Sequence, residues 1–102
     1  MTEAELLAYV REAAGWLGVL CYHTRDSRGS DPGFPDVVLA GPGGLAIWEL
    51  KSETGRVSEA QALWIRQLQA AGVDVGVRRP EHWPGQIMRE LGQLAGRAVK
   101  AG

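Results

Sequence analysis

The sequence predicts a small α/β domain: a mixed β-sheet flanked by helices, in the order α-β-β-β-α-β-α. Three observations carry this. Two stretches, 3–17 and 58–71, repeat apolar residues at helical spacing, and each starts on a capping box. Two strand-like runs flank Gly41-Pro42-Gly43-Gly44, the pattern of a hairpin. A strand–helix–strand passage from residue 45 to 77 calls for a right-handed parallel crossover, which makes the sheet mixed. The length of 102 residues suits one domain, expected over 1–95, with a frayed tail over 96–102.

The elements follow in order. Leu6, Leu7, Val10, Ala13, Ala14 and Leu17 form one stripe of the first helix, with Thr2 and Glu5 as its capping box and Gly18 as its stop. Val19 to His23 is a short strand with Cys21 in the core. Residues 24–35 are polar and rich in turn formers, and a loop that long calls for a functional reason. Asp36 to Ala40 and Leu45 to Lys51 are the two hairpin strands. A second polar loop, 52–57, leads to the helix opened by Ser58 and Gln61. Its apolar face reads as Ala60, Leu63, Trp64, Leu68 and Ala71, and Gly72 ends it. Val73 to Val77 is the last strand. A weaker helix spans about 84–95, with Ile87, Leu91 and Leu94 in register and Gly85 and Gly92 against it. Trp48 and Trp64 fit the core by phase, whereas Trp16 and Trp83 fit a subunit interface. His82 reads as an exposed turn residue.

The chemistry lies in Gly33-Phe34-Pro35-Asp36 and, twelve residues on, Glu49-Leu50-Lys51. Side chains two apart in a strand share a face, so Glu49 and Lys51 point one way with Ile47, and Trp48 and Leu50 point the other. A four-residue turn pairs position 40 with 45 and sets Asp36 opposite position 49. Two carboxylates side by side repel unless something neutralises them, and a divalent cation does so. Magnesium takes oxygen ligands and few carboxylates, and a lysine beside it could orient the attacking water or stabilise charge on a phosphate oxygen. These parts suit metal-assisted hydrolysis of a phosphodiester. They also suit a surface Glu–Lys pair beside a strand-opening aspartate. Glu3 falls in the middle of the first helix's apolar arc, either as a ligand or as a first-turn acid favoured by the helix dipole. Glu5, on the opposite side, is explained by the cap. Gln61 is explained by its capping box, and it could equally hold a water or phosphate at the site edge.

Together with Gly55-Arg56-Val57-Ser58-Glu59-Ala60-Gln61, Trp64, Leu68 and the run Gly72 to Pro80, these motifs resemble the VRR-NUC (virus-type replication–repair nuclease) domain of the PD-(D/E)xK nuclease superfamily. The resemblance covers about residues 3–83, and Tyr22-His23-Thr24 to Arg28-Gly29-Ser30 resembles compact stand-alone members from phages and bacteria. It implies a Holliday-junction-resolvase-like, restriction-endonuclease core and a Mg2+- or Mn2+-dependent endonuclease acting on branched DNA of the Holliday-junction or flap type. By carry-over, Glu3, Asp36 and Glu49 surround the metal with the Leu50 carbonyl, while Lys51 and Gln61 complete the catalytic set. Members often carry a glutamine four residues after the helix glutamate, where this chain has Leu7, so Glu5 stays in reserve for Glu3. Stand-alone members commonly pair, and cutting two strands takes two sites, so a homodimer is expected.

The loop before Asp36 is read as touching the phosphate backbone through Arg25, Arg28 and Ser30, with His23 and Ser27 beside them. Arg78 and Arg79 are a second phosphate clamp or, alternatively, charged protection of a strand edge. A lone cysteine, an acidic N-terminus and the lack of a long apolar run suit a small intracellular domain without a membrane span, and the resemblance implies the cytoplasm of a bacterial or phage-infected cell and no organic cofactor. The net charge of −1 excludes a bulk polyanion binder, yet one or two divalent ions would raise it to +1 or +3. The rival readings are a nucleic-acid-binding module without catalysis and a nuclease subunit that needs a partner.

Overall fold

The computed structural model describes residues 1–24 and 31–97. Arg25, Ser27, Arg28 and Ser30, like the tail from 98 onward, lie outside the described residues. The elements are α1 (Glu3–Leu17), β1 (Leu20–His23), β2 (Val37–Gly41), β3 (Gly44–Leu50), α2 (Glu59–Ala70), β4 (Asp74–Arg78) and α3 (Gly85–Leu94), with a 3-10 turn at Pro80–His82. The sequence order α-β-β-β-α-β-α holds, and the 3-10 turn is an addition to it. Both capping boxes form, Thr2 with Glu5 and Ser58 with Gln61.

The sheet runs β1-β2-β3-β4, antiparallel except for the parallel β3–β4 pair. Ala40 pairs with Leu45 and Val37 with Trp48, so the strand pairing carried one step further sets Asp36 beside Glu49. Gly41 and Gly44 pair within the ladder, which shortens the turn itself to Pro42-Gly43. Strand parity then divides the side chains. Val37, Leu39, Ala46, Trp48 and Leu50 face α1 and α3, meeting Leu6, Val10, Ala14, Ile87 and Leu91 in one dry core. The weak third helix is held by this packing, because Ile87, Leu91 and Leu94 all bury. Among the described residues no helix is long and apolar enough to cross a membrane.

The other sheet face meets α2, which contacts β4. Here the sequence expectation needs correcting: no residue of α2 is buried, and Leu63 and Ala71 are exposed. The helix has the sheet on one side and, among the described residues, no layer on its other, so an apolar stripe alone overstates its burial. Trp64 is half-buried rather than central. Its indole N–H donates to the Pro32 carbonyl at 3.2 Å, and its ring meets Phe34 edge-on at 5.2 Å. Trp83 also departs from expectation, since it stacks on Tyr9 at 5.2 Å and packs against the core, while Trp16 stays exposed. His82 is half-buried, its Nδ1 accepting the Arg79 N–H at 2.8 Å. Cys21 packs against the core half-buried, and burial raises its thiol pKa.

Gly33 shows how Gly33-Phe34-Pro35-Asp36 is built. Its φ is +92°, and a Cβ there would lie 2.5 Å from the Ala60 carbonyl carbon and 2.6 Å from its oxygen. Only glycine lets the chain press this close to the first turn of α2 in that conformation. The Phe34–Trp64 contact then pins the segment, and Asp36 emerges where β2 begins.

Candidate metal centre

The site forms at one end of the sheet, where the two layers meet. Glu3 comes from the first turn of α1, Asp36 from the entry to β2, and Glu49 from near the end of β3. Each offers a carboxylate oxygen, and the three oxygens lie within 4.8 Å of one another. Glu5 is spent elsewhere: its Oε1 accepts the Thr2 N–H at 2.9 Å, closing the cap. Geometry thus brings Glu3, and not Glu5, to the other two carboxylates. A cleft beside the carboxylates is lined by Glu3, Ala4, Leu7, His23, Asp36 and Leu50. Leu7, where the family often has glutamine, gives this cleft an apolar wall.

Backbone and side chains hold Asp36 and Glu49 in place, while Glu3 is exposed. The Asp36 carbonyl accepts the Thr24 N–H at 2.7 Å, and its Oδ2 accepts the Leu50 N–H at 2.8 Å. Leu50 therefore locks Asp36 through its amide, and it lines the cleft. Glu49 is only 1% exposed. Its Oε2 receives the Gln61 Nε2–H at 2.9 Å and the Lys51 Nζ at 3.1 Å. Its Oε1 is buried with no hydrogen-bond partner among the described residues. Burial, then the charge of Asp36, push Glu49 up to about 7, against the pull of Lys51. A buried carboxylate with one oxygen satisfied and one orphaned is an incomplete arrangement that a cation completes. Three carboxylates at this spacing fit a hard, oxygen-seeking divalent ion.

Gln61 resolves an alternative that the sequence left open. Its Oε1 accepts the Ser58 N–H at 2.9 Å and its Nε2 donates to Glu49. One amide thus caps α2 and fixes the site carboxylate. Ser58 and the helix start are in effect a bracket for Glu49.

The arginine pair at the end of β4, Arg78 and Arg79, behaves differently from the phosphate clamp expected of it. Arg78 makes a two-point pair with Glu90, Nε to Oε1 at 3.1 Å and Nη2 to Oε2, and its guanidinium lies 5.0 Å from the centre of the Trp48 ring. Arg79 Nη1 donates to the Ser52 and Gly55 carbonyls at 2.7 and 2.8 Å. Both guanidinium groups are drawn inward because β4 lies beside the β3 end that carries the site, within reach of α3 and the 52–55 turn. The sequence offered no spacing signal for the Arg79 bonds, since the partners are carbonyls 24 and 27 residues away. His23 was readable: its parity with core-facing Cys21 turns it toward α1, hence toward the cleft.

The comparisons agree with this picture. The VRR-NUC domain family matches residues 2–80. In three dimensions the chain is similar to a VRR-NUC domain protein (TM-score 0.67, 18% identity, 92% of this chain and 90% of that one). It is similar also to a second solved VRR-NUC domain (TM-score 0.67, 20% identity, 97% of this chain and all of that one). At these identities the solved structures speak for the fold, which is the mixed α/β core expected. No curated protein matches in sequence. A match spanning most of the chain, on a fold that gathers Glu3, Asp36, Glu49 and Lys51 at one sheet end, leads to one conclusion: the chain belongs to the VRR-NUC family of nuclease-type domains.

Proposed function

We propose that this protein is a Mg2+- or Mn2+-dependent endonuclease that hydrolyses phosphodiester bonds in branched DNA. The orphaned Glu49 Oε1, set among three carboxylates beside a lysine, carries the reading. Glu3, Asp36, Glu49 and the Leu50 carbonyl hold the ion. A bound divalent ion supplies Lewis-acid polarisation of the phosphate and favours deprotonation of water. Lys51, held at Glu49, donates a hydrogen bond to the attacking water or to a phosphate oxygen as charge develops there. Gln61 keeps Glu49 Oε2 engaged, which leaves Oε1 for the ion. Arg25, Arg28 and Ser30, which precede Asp36 in the sequence, are the proposed contacts to the phosphate backbone.

The test is cleavage of a four-way junction, a flap and a linear duplex with Mg2+, Mn2+ or EDTA. Junction or flap cutting with metal is expected, and Asp36→Ala or Lys51→Ala should lower the rate by about 10²–10³-fold, the cost of losing one electrostatic contributor. Wild-type rates in both variants would refute the site. Binding without cleavage would favour the binding-module reading, and cleavage only with an added protein would favour the subunit reading.

We propose further that the protein acts as a homodimer through the sheet face that carries α2. On this face Leu20 pairs with Ala40, which pairs in turn with Leu45, and Tyr22 pairs with Val38, which pairs with Ile47. Leu20, Tyr22 and Leu45 are 76%, 66% and 47% exposed. They offer on the order of 400 Å² of apolar surface, about half of what each partner of a standard interface buries. The patch bears no charge, so a second copy of the same patch suits it under a two-fold axis. It includes residues of β1, which is an edge strand of the sheet. Tyr22→Glu should turn a dimer into a monomer by light scattering, and Trp16→Glu should leave the dimer intact. A monomeric wild type at 100-micromolar order, or dissociation only by the Trp16 change, would overturn this.

A further inference from the structure

Arg79, we infer, is a positioning residue for Lys51 and acts through the 52–55 turn. The inference rests on the reading of Lys51 as part of the site, but its geometry stands apart from any activity. Three observations make the chain of contacts. Arg79 Nη1 donates to both the Ser52 carbonyl (2.7 Å) and the Gly55 carbonyl (2.8 Å), so one guanidinium ties the two ends of the turn together. The turn is closed a second time by the Gly55 N–H donating to Ser52 Oγ at 3.0 Å. The turn in turn lies on Lys51: a Cβ on Gly55 would sit 3.4 Å from Lys51 Cδ and 3.0 Å from Ser52 Oγ. An added methyl there would crowd the Ser52 hydroxyl and come into close contact with the lysine stem.

A lysine side chain has four rotatable bonds and prefers water. This one is 11% exposed, and its Nζ stays 3.1 Å from Glu49 Oε2. The turn excludes solvent from the stem, and Arg79 keeps the turn in place. Arg79 is itself well anchored, since its N–H donates to His82 Nδ1 at 2.8 Å and the preceding Arg78 carbonyl accepts the Lys51 N–H at 3.0 Å. The backbone of β4 thus holds the lysine at its root, and the Arg79 side chain holds the turn that covers it.

The chain has only two lysines, Lys51 and Lys100, which makes a direct readout possible. Folded protein, without DNA, is treated briefly with an acetylating reagent, and the two sites are quantified by mass spectrometry. In the wild type Lys51 should react at least tenfold more slowly in the folded protein than in the urea-unfolded chain. Arg79→Ala should raise Lys51 labelling about tenfold, and Arg79→Lys, whose ammonium can bridge the same carbonyls, should restore most of the protection. Gly55→Ala, which crowds Ser52 Oγ and so disturbs the turn over the lysine, should shift labelling in the same direction as Arg79→Ala and carries the test if that variant does not fold. With branched DNA and metal, kcat should fall about tenfold in Arg79→Ala and KM should hold. Unchanged Lys51 labelling in folded Arg79→Ala or Gly55→Ala overturns the inference. Increased labelling in a protein that never cuts DNA would retain the turn's role and refute the nuclease reading instead.

Discussion

Glu49→Gln should abolish metal-dependent cleavage, a loss of at least about 10³-fold, and at the same time raise the melting temperature of the metal-free protein at pH 8. The two effects have opposite signs because one group serves two purposes. Burial and Asp36 push Glu49 up to about 7, above the ordinary carboxylate range. The folded chain therefore holds this proton more tightly than the unfolded chain between about pH 4.5 and 7. Stability falls as pH rises through that window, because ionised Glu49 is worse placed in the fold than in water, and it levels off above it. Glutamine keeps the neutral state at every pH and can still accept the Gln61 and Lys51 hydrogen bonds. The expected gain is roughly 5 °C at pH 8 and close to nothing at pH 4. Divalent ion should restore the wild-type melting temperature at pH 8 and leave the variant unmoved. Thermal scans at pH 4, 6 and 8, with and without Mg2+, read all of this. A wild-type curve that rises from pH 5 to 8 without metal would contradict the assignment.

Gly33→Ala should cost about 3 kcal/mol or more, from a strained positive φ together with a clash against backbone. Its Cβ would meet the Ala60 carbonyl carbon and oxygen at 2.5 and 2.6 Å. The other party to the clash is helix backbone, which cannot step aside as a side chain tip could. For a domain of this size that is a drop of at least about 12 °C in melting temperature. Function should suffer beyond stability, since the segment that shifts carries Asp36. At a temperature where the variant is folded, metal affinity should fall, and denaturation profiles with a metal titration separate the two losses. A variant as stable as wild type would show that the Gly33–Ala60 approach is not a constraint.

Much of the site was legible before any coordinates. Parity put Glu49 and Lys51 on one face, and the Gly41–Gly44 turn set the 40–45 pairing that brings Asp36 to Glu49. Both are local, period-two arguments, and a tight turn propagates its register along the strands with little freedom. Gln61 was legible only in halves. The capping box follows from Ser58 and its spacing, but the bond to Glu49 depends on how α2 lands on β3, which no local pattern states.

The limits have the same origin. The stripe on α2 promised a buried face and found one side only, because a stripe says which side of a helix seeks cover and not how much cover the rest of the fold supplies. Arg78 and Arg79 looked free in the sequence and are tied inward, since their partners are a glutamate on α3 and two carbonyls far along the chain. By itself, then, the sequence determined the element order, both helix caps, the hairpin register and the family, all of which rest on spacing along the chain. Only the tertiary structure decided that Glu3 rather than Glu5 joins the carboxylates, that Gln61 both caps its helix and holds Glu49, and that Arg79 ties the 52–55 turn beside Lys51. Those outcomes depend on which layers meet at the sheet end, and packing between layers is a property of the whole fold rather than of any segment.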